Sequence, residues 1–311
     1  MTAVVGGRVL VSGASGFLGR RLCAHLQRDG AEIHAVSRSR HGEGEDGLRW
    51  WRLAMDDAEA VDRLVQDTKP EQIFHLSGLS NGAPGLDLVQ STFQSQLAST
   101  VNVLTAAARS GCRRVILIGS LEEPTAGAED GVPASPYGAA KWGAAMYARM
   151  FHRLYQTPVV IARVYMAYGP GQAEGKIVPY TIRSLLQGQA PQLSSGRRCL
   201  DWIYVDDAVE GLVQAAAADG VDGTTLEFGS GIAVSIKDVV DEIVAIVEPR
   251  VRPVFGAVSD RPTEAVRVAD TRKTAQVLGW HARTALAEGL RRTVEWYAEH
   301  RADGAGRPVG R

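Results

Sequence analysis

Short apolar runs alternate along this chain with segments whose apolar residues recur at three- and four-residue intervals. Arg8-Val-Leu-Val-Ser12 reads as a buried strand, and Phe17, Leu18, Leu22 and Leu26 then follow at helical spacing. Further strands are predicted at 31–37 (AEIHAVS), 72–77 (QIFHLS), 114–118 (RVILI) and 157–165, with helices at 58–67, 87–110 and 136–155. Strands without polar alternation, each followed by an amphipathic helix, predict an α/β fold with a parallel sheet covered on both faces.

From Gly169-Pro-Gly onward the rhythm shortens. A helix at 178–187, a strand at 202–204 and a helix at 205–218 are predicted between Gly/Pro breaks. Ser235, with Asp238 three residues on, resembles a capping box opening a helix at 236–247, and a last helix spans 284–299. The pattern predicts a dinucleotide-binding domain at 1–168. Residues 169–300 form a smaller, mainly substrate-binding α/β portion, with some segments returning to the first domain, and 301–311 form a frayed tail. No internal repeat is present.

Composition excludes several functions. Among 311 residues, 34 basic and 35 acidic side chains nearly cancel, so nothing points to nucleic acid or an anionic membrane. A net charge near zero is compatible with an oligomer. Cys23, Cys112 and Cys199 are odd in number and form no CxxC pair, which argues against disulfides and zinc and for a reducing compartment. With no leader-like N-terminus and no long apolar run, a soluble cytoplasmic protein is expected, with no metal centre.

Candidate chemistry sits at the ends of the predicted strands. Gly13, Gly16 and Gly19 fall between a strand and a helix, where glycine backbone approaches a pyrophosphate and the helix N-terminus meets its charge. An acidic residue closing the second strand would favour NAD; here Ser37-Arg38-Ser39-Arg40 stands instead, and a guanidinium pairs with the 2′-phosphate of NADP(H). Tyr137 and Lys141 lie one turn apart on one helix face, and Ser120 ends a strand where a parallel sheet opens into its ligand crevice. This set suits hydride chemistry: Tyr137 exchanges a proton, Lys141 lowers its pKa and holds the ribose, and Ser120 orients the carbonyl.

These residues, with GASGFLG, HLSG at 75–78, SPYGAAK, ARVYMAYGPGQ at 162–172, RCLDWIYVDDAVEG at 198–211 and RPTE at 261–264, resemble the extended short-chain dehydrogenase/reductases, in the branch acting on nucleotide-linked sugars. The resemblance covers nearly the whole chain. It implies a Rossmann-type doubly wound sheet and a cofactor cradle that also takes in Ser15, Phe17, Leu18, Leu76, Ser77, Val164 and, for adenine, Asp57. It implies sugar-nucleotide contacts from Ser80, Glu122, Lys176, Arg197 and Arg261, and a homodimer through helices 87–110 and 137–155. Three positions depart from the family pattern: Met166 replaces a common Asn, Leu200 a common Arg, and Ala54 an adenine-binding Asp.

Within that family, 4,6-dehydratases carry an acidic pair after the Ser or Thr, and here Leu121 cannot move a proton. Epimerases retain NAD and usually have the acidic residue that Ser37-Arg38 replaces. Uronate decarboxylases again usually use NAD. Gly119-Ser-Leu-Glu-Glu123 is similar to the Gly-Ser-Gly-Glu-Glu run of GDP-4-keto-6-deoxymannose reductases. The expectation is NADPH-dependent reduction of a nucleotide-linked 4-keto-6-deoxyhexose. A retained-NAD epimerase or dehydratase is the alternative. Outside this class stand an idle NADP(H)-binding sensor and a reductase of non-nucleotide ketones, which would not need Arg261, Arg197 or Arg198.

Overall fold

The computed structural model describes residues 7–39, 47–124, 131–260 and 266–300. Within them the chain runs β1 (Arg8–Ser12), α1 (Phe17–Arg28), β2 (Glu32–Ser37), β3 (Arg49–Arg52), α2 (Ala58–Thr68), β4 (Gln72–His75), α3 (Leu88–Thr92), a π-helical segment (Phe93–Ala98), α4 (Ser99–Ser110), β5 (Arg114–Ser120), α5 (Pro136–Tyr155) and β6 (Val159–Val164). It continues through β7 (Met166–Tyr168), α6 (Ile177–Leu186), β8 (Cys199–Tyr204), α7 (Val205–Ala217), β9 (Thr225–Phe228), β10 (Ala233–Ser235), α8 (Ile236–Val247), α9 (Arg272–Leu278) and α10 (Leu286–Glu299).

Two compact units result. The first comprises Met1–Tyr165, Ala208–Phe228 and Asp270–His281. It carries a seven-stranded sheet in the order β3-β2-β1-β4-β5-β6-β9, with every pairing parallel. This is a Rossmann-type α/β fold. Central strands covered on both faces must be apolar throughout, and Val9, Leu10, Val11, Ile73, Phe74, Val115 and Ile116 are fully buried. The second unit comprises Met166–Asp207, Gly229–Ala269 and Ala282–Arg311. It holds a three-stranded sheet, β10-β8-β7, and the mutually packed helices α6, α8 and α10. Ser235 caps α8 through the Asp238 amide at 3.0 Å and donates to its carboxylate at 2.6 Å.

The structure corrects the predicted helix 87–110. It is interrupted over Phe93–Ala98, where the winding widens to a π-helix. Ser99 and Thr100 donate their hydroxyls to the carbonyls of Ser95 and Gln96 at 2.7 and 2.6 Å, competing with the regular main-chain ladder. The widened turn grips the loop after β4, because Gln96 Nε2 donates to Leu79 O at 2.8 Å and Ser95 Oγ accepts from Leu79 N at 3.3 Å. The pattern also misses β3, β7, β9, β10 and α9, all short. β3 is an edge strand, Arg-Trp-Trp-Arg, whose Trp51 donates to the buried His34 at 3.1 Å.

Candidate active site

The turn after β1 is built backbone against backbone. Gly13 has φ +72°, and a Cβ there would lie 2.8 Å from the Ser77 amide nitrogen at the end of β4. Its N–H and that of Ala14 donate to Val36 O at 3.1 and 3.3 Å, tying the turn to β2. Gly16 caps α1 with no side-chain bond, leaving the first helical amides available to a bound anion. A Cβ on Gly19 would run into the Gly13 carbonyl and lie 2.8 Å from Ala14 Cα. Gly19→Ala is therefore expected to destabilise the fold by about 1–3 kcal/mol, the usual range for overpacking, since rigid backbone cannot yield. Denaturant unfolding of the variant checks this.

In front of the turn lies a cavity of about 450 Å³, of a size that takes a cofactor. Gly13, Ser15, Gly16, Ser37, Arg38, Leu76 and Ser77, all expected there, line it. Its far wall was not foreseen: Ser91, Gln94, Ser95 and Ser99 come from α3, the π-helical segment and the start of α4, and Leu53, Met55 and Asp56 from the loop after β3. At the β2 end, Ser37 and Ser15 share a 3.0 Å hydroxyl bond, Ser37 Oγ accepts the Ser39 amide at 3.2 Å, and Arg38 is exposed. Asp57 faces another task, since its carboxylate caps α2 by accepting from Ala60 N at 3.0 Å; its neighbour Asp56 lines the cavity instead. Phe17 and Leu18 open α1 and Val164 closes β6; these three and Gly19 are not lining residues. Arg40 lies outside the described residues.

Ser120, Tyr137 and Lys141 converge in the same unit, beyond the lining of that cavity. Ser120 ends β5 in register with Val164. Ser135 fixes the start of α5 by accepting the Gly138 amide at 3.0 Å, which sets Tyr137 in the first turn and Lys141 one turn later. The Ser120 hydroxyl stands near enough to the Tyr137 phenol to lower its pKa. Lys141 Nζ lies 6.0 Å from the Tyr137 ring centre and donates to Ile118 O at 2.8 Å.

The electrostatics correct the expectation that Lys141 lowers the Tyr137 pKa. Burial pushes the phenol up to about 12; the nearby Ser120 hydroxyl lowers it, and the charges of Glu122 and Glu123 raise it. Lys141 is absent from that set of causes, and burial itself brings the lysine down to about 8. Desolvation of the phenol and the carboxylates beside it set the direction of its pKa.

Behind the cavity, His75 is fully enclosed in hydroxyls. Ser12 Oγ lies 2.7 Å from Nδ1, Ser77 Oγ 3.5 Å from Nδ1 and Ser99 Oγ 3.3 Å from Nε2. Burial, with help from the Lys141 charge, brings His75 down to about 3 from 6.5. A lowered histidine contributes stability above its unfolded pKa and loses it as pH falls, because only the unfolded chain takes the proton. Stability is expected to drop between pH 6.5 and about 3, by about 2 kcal/mol at pH 5 from this residue alone. Urea unfolding at a series of pH values should show a flatter acid limb for His75→Gln.

The expected substrate residues are dispersed over the two units. Glu122 follows Ser120 by two residues and accepts the Ser135 hydroxyl at 2.7 Å, while Ser80 is exposed on the loop after β4. In the second unit Lys176 caps α6 and Arg197 is exposed, its amide donating to Ser195 Oγ at 3.3 Å. Arg261 lies outside the described residues. Glu123 was not foreseen as a site residue, although it is wholly buried and accepts the Ser120 amide at 2.6 Å. Among the described residues no cluster of His, Cys, Asp and Glu could hold a metal, and no helix is long and apolar enough to cross a membrane.

The chain is 28% identical to the UDP-glucose 4-epimerase of Mycolicibacterium smegmatis, with 93% of this chain and 98% of the relative aligned. It is 28% identical to a dTDP-glucose 4,6-dehydratase of Streptomyces antibioticus over 94% of this chain and 93% of that one. The structure of MoeE5 in complex with UDP-glucose and NAD superposes with a TM-score of 0.85 at 30% identity, covering 95% of this chain and all of that one. A Thermotoga maritima UDP-glucose 4-epimerase shares the fold, with a TM-score of 0.84. Residues 9–229 match the NAD dependent epimerase/dehydratase family, and the chain belongs to that family.

Proposed function

We propose that this protein transfers hydride at C4 of a nucleotide-linked hexose, using a nicotinamide dinucleotide. One observation carries the reading: a Ser120–Tyr137 hydroxyl pair, with Lys141 one turn on, at the same sheet edge as a glycine turn too tight for any Cβ. The cradle fits the cofactor. Gly13 and Gly16 would admit a pyrophosphate to the first α1 amides, and Ser37, Arg38 and Ser39, which line the same cavity, would hold the adenosine ribose. When bound, the dinucleotide would supply or accept the hydride. Tyr137 then moves the proton at the sugar oxygen. Ser120 holds that oxygen, and Glu122 bonds neighbouring hydroxyls.

Two observations favour net reduction with NADPH. Ser37-Arg38 ends β2 with no carboxylate, and Leu121, only 7% exposed, removes half the acid pair that dehydration uses. The reaction is then reduction of a 4-keto-6-deoxyhexose on its nucleotide. The relatives favour a second reading, a redox-neutral reaction with a retained NAD, either epimerisation at C4 or 4,6-dehydration. We extend the proposal to a homodimer: Val89, Phe93, Trp142, Met146 and Tyr147 leave α3, the π-helical segment and α5 with exposed apolar side chains. Light scattering decides that point.

The test combines two assays. The purified protein is denatured and any released dinucleotide identified. It is also incubated with NADPH and a panel of nucleotide 4-keto-6-deoxysugars, and with UDP-glucose alone. Stoichiometric NADPH consumption with a 4-hydroxy product supports reduction. Bound NAD and steady conversion of UDP-glucose without reductant establish epimerisation, and no turnover in either assay removes the reaction.

A further inference from the structure

Glu123 is the fourth residue of the strand-end run Ser120-Leu-Glu-Glu, and its carboxylate is fully enclosed. Oε1 accepts the Ser120 amide at 2.6 Å and Oε2 accepts Arg163 Nη2 at 3.0 Å. Arg163 stands on β6 in register with Gly119 of β5 and with Glu227 of β9, and its Nη1 donates to Glu227 at 2.8 Å. Glu227 also accepts the Tyr165 hydroxyl and the Asp270 amide, both at 2.8 Å. A row of carboxylate, guanidinium and carboxylate therefore crosses the carboxyl ends of three adjacent strands and finishes on the backbone of Ser120.

Such a row is a poor device for stability alone. Well-packed apolar residues of similar volume often serve a core as well or better, because three charges must be stripped of water. Apolar residues cannot hold the Ser120 amide, and they cannot set a negative charge beside Lys141. Gly119 leaves room for the arrangement, since a Cβ there would lie 2.7 Å from Glu123 Oε1.

We propose that Glu123 is a positioning residue for the hydride-transfer site: through the strand-end amide it fixes where the Ser120 hydroxyl stands, and it sets a buried negative charge that acts on Lys141. The inference rests on the reading of Ser120, Tyr137 and Lys141 as the reacting set. Burial lowers Lys141 to about 8, and Glu123 is the carboxylate that opposes the fall. The other groups around Lys141 are Tyr137 on its own helix and His75 of β4, which stays neutral near pH 7; Arg163 and Glu227 lie beyond Glu123.

The test is a titration of Lys141 by NMR of protein carrying [13Cε]lysine. Lys69, Lys141, Lys176, Lys237 and Lys273 are the only lysines, so Lys141→Arg assigns the signal by its loss. Glu123→Gln keeps an acceptor for the Ser120 amide and removes the charge, and the Lys141 midpoint is expected to fall by about one unit. Glu123→Asp keeps the charge but draws the carboxylate back from Ser120. Its midpoint should stay near wild type while kcat falls about 10- to 100-fold at little changed KM. Glu227→Gln, at the far end of the row, should leave the midpoint in place. An unmoved midpoint in Glu123→Gln overturns the electrostatic role. If that variant does not fold, an undiminished kcat in Glu123→Asp overturns the positioning role. The titration needs no substrate: a falling midpoint without sugar-nucleotide turnover would sink the proposed reaction and leave the charge effect standing.

Discussion

Tyr137→Phe is expected to lower turnover by about 10²–10⁴-fold, the usual contribution of a general acid–base group, with dinucleotide affinity nearly unchanged. The ring is half-buried in the first turn of α5 and Phe fills the same space, so the helix start and the Ser135 cap persist. What disappears is the hydroxyl beside Ser120, the group proposed to pass a proton at the sugar oxygen. With its pKa pushed up to about 12, the phenol is protonated at neutral pH and stands as a donor. Single-turnover kinetics, with cofactor binding followed by fluorescence, separate the two effects. Near wild-type turnover would remove Tyr137 from the mechanism. Ser120→Ala should act in the same direction, because it deletes the one contact that lowers the phenol pKa.

The parts of this site that the sequence made legible are those fixed by local rules. Gly13, Gly16 and Gly19 sit between an apolar strand and an amphipathic helix, and the turn they form needs a positive φ and close backbone contact. Ser120, Tyr137 and Lys141 owe their places to a strand end and to helical spacing. The far wall of the cavity was illegible because its residues, Ser91, Gln94, Ser95 and Ser99, carry no pattern until the π-helical winding turns them. Likewise Asp57 and Asp56 are indistinguishable in sequence; only the cap on α2 separates them. Glu123 was hidden for a different reason. Its partners are 40 residues away on β6 and, through Arg163, on β9, and only the register of three parallel strands brings them together. The Tyr137 electrostatics turn on desolvation of the phenol and on Glu122 and Glu123, none of which is visible in the one-turn spacing of Tyr137 and Lys141.

Arg38→Asp is expected to shift the preference for NADP(H) over NAD(H) by about 100-fold towards NAD(H). Hydrogen bonds to a charged group contribute about 1.5–3 kcal/mol, roughly 10- to 150-fold in affinity, and a carboxylate at the same place adds repulsion against the 2′-phosphate. Arg38 is exposed at the β2 end of the cavity, flanked by Ser37 and Ser39, and no acidic residue precedes it on that strand end. Ser37 is held in place by Ser15, so the substitution alters charge without loosening the turn. Calorimetric titration of NADP+ and NAD+ into wild type, Arg38→Ala and Arg38→Asp separates the attraction from the repulsion, because alanine removes only the first. The ratio of the two affinities should fall stepwise across the series. Equal affinities in wild type, unmoved in either variant, would make Arg38 a solvated loop residue. The lack of a carboxylate at Ser37 and Arg38 would then no longer argue for NADPH, and the retained-NAD cycle would be the better account of the same Ser120, Tyr137 and Lys141.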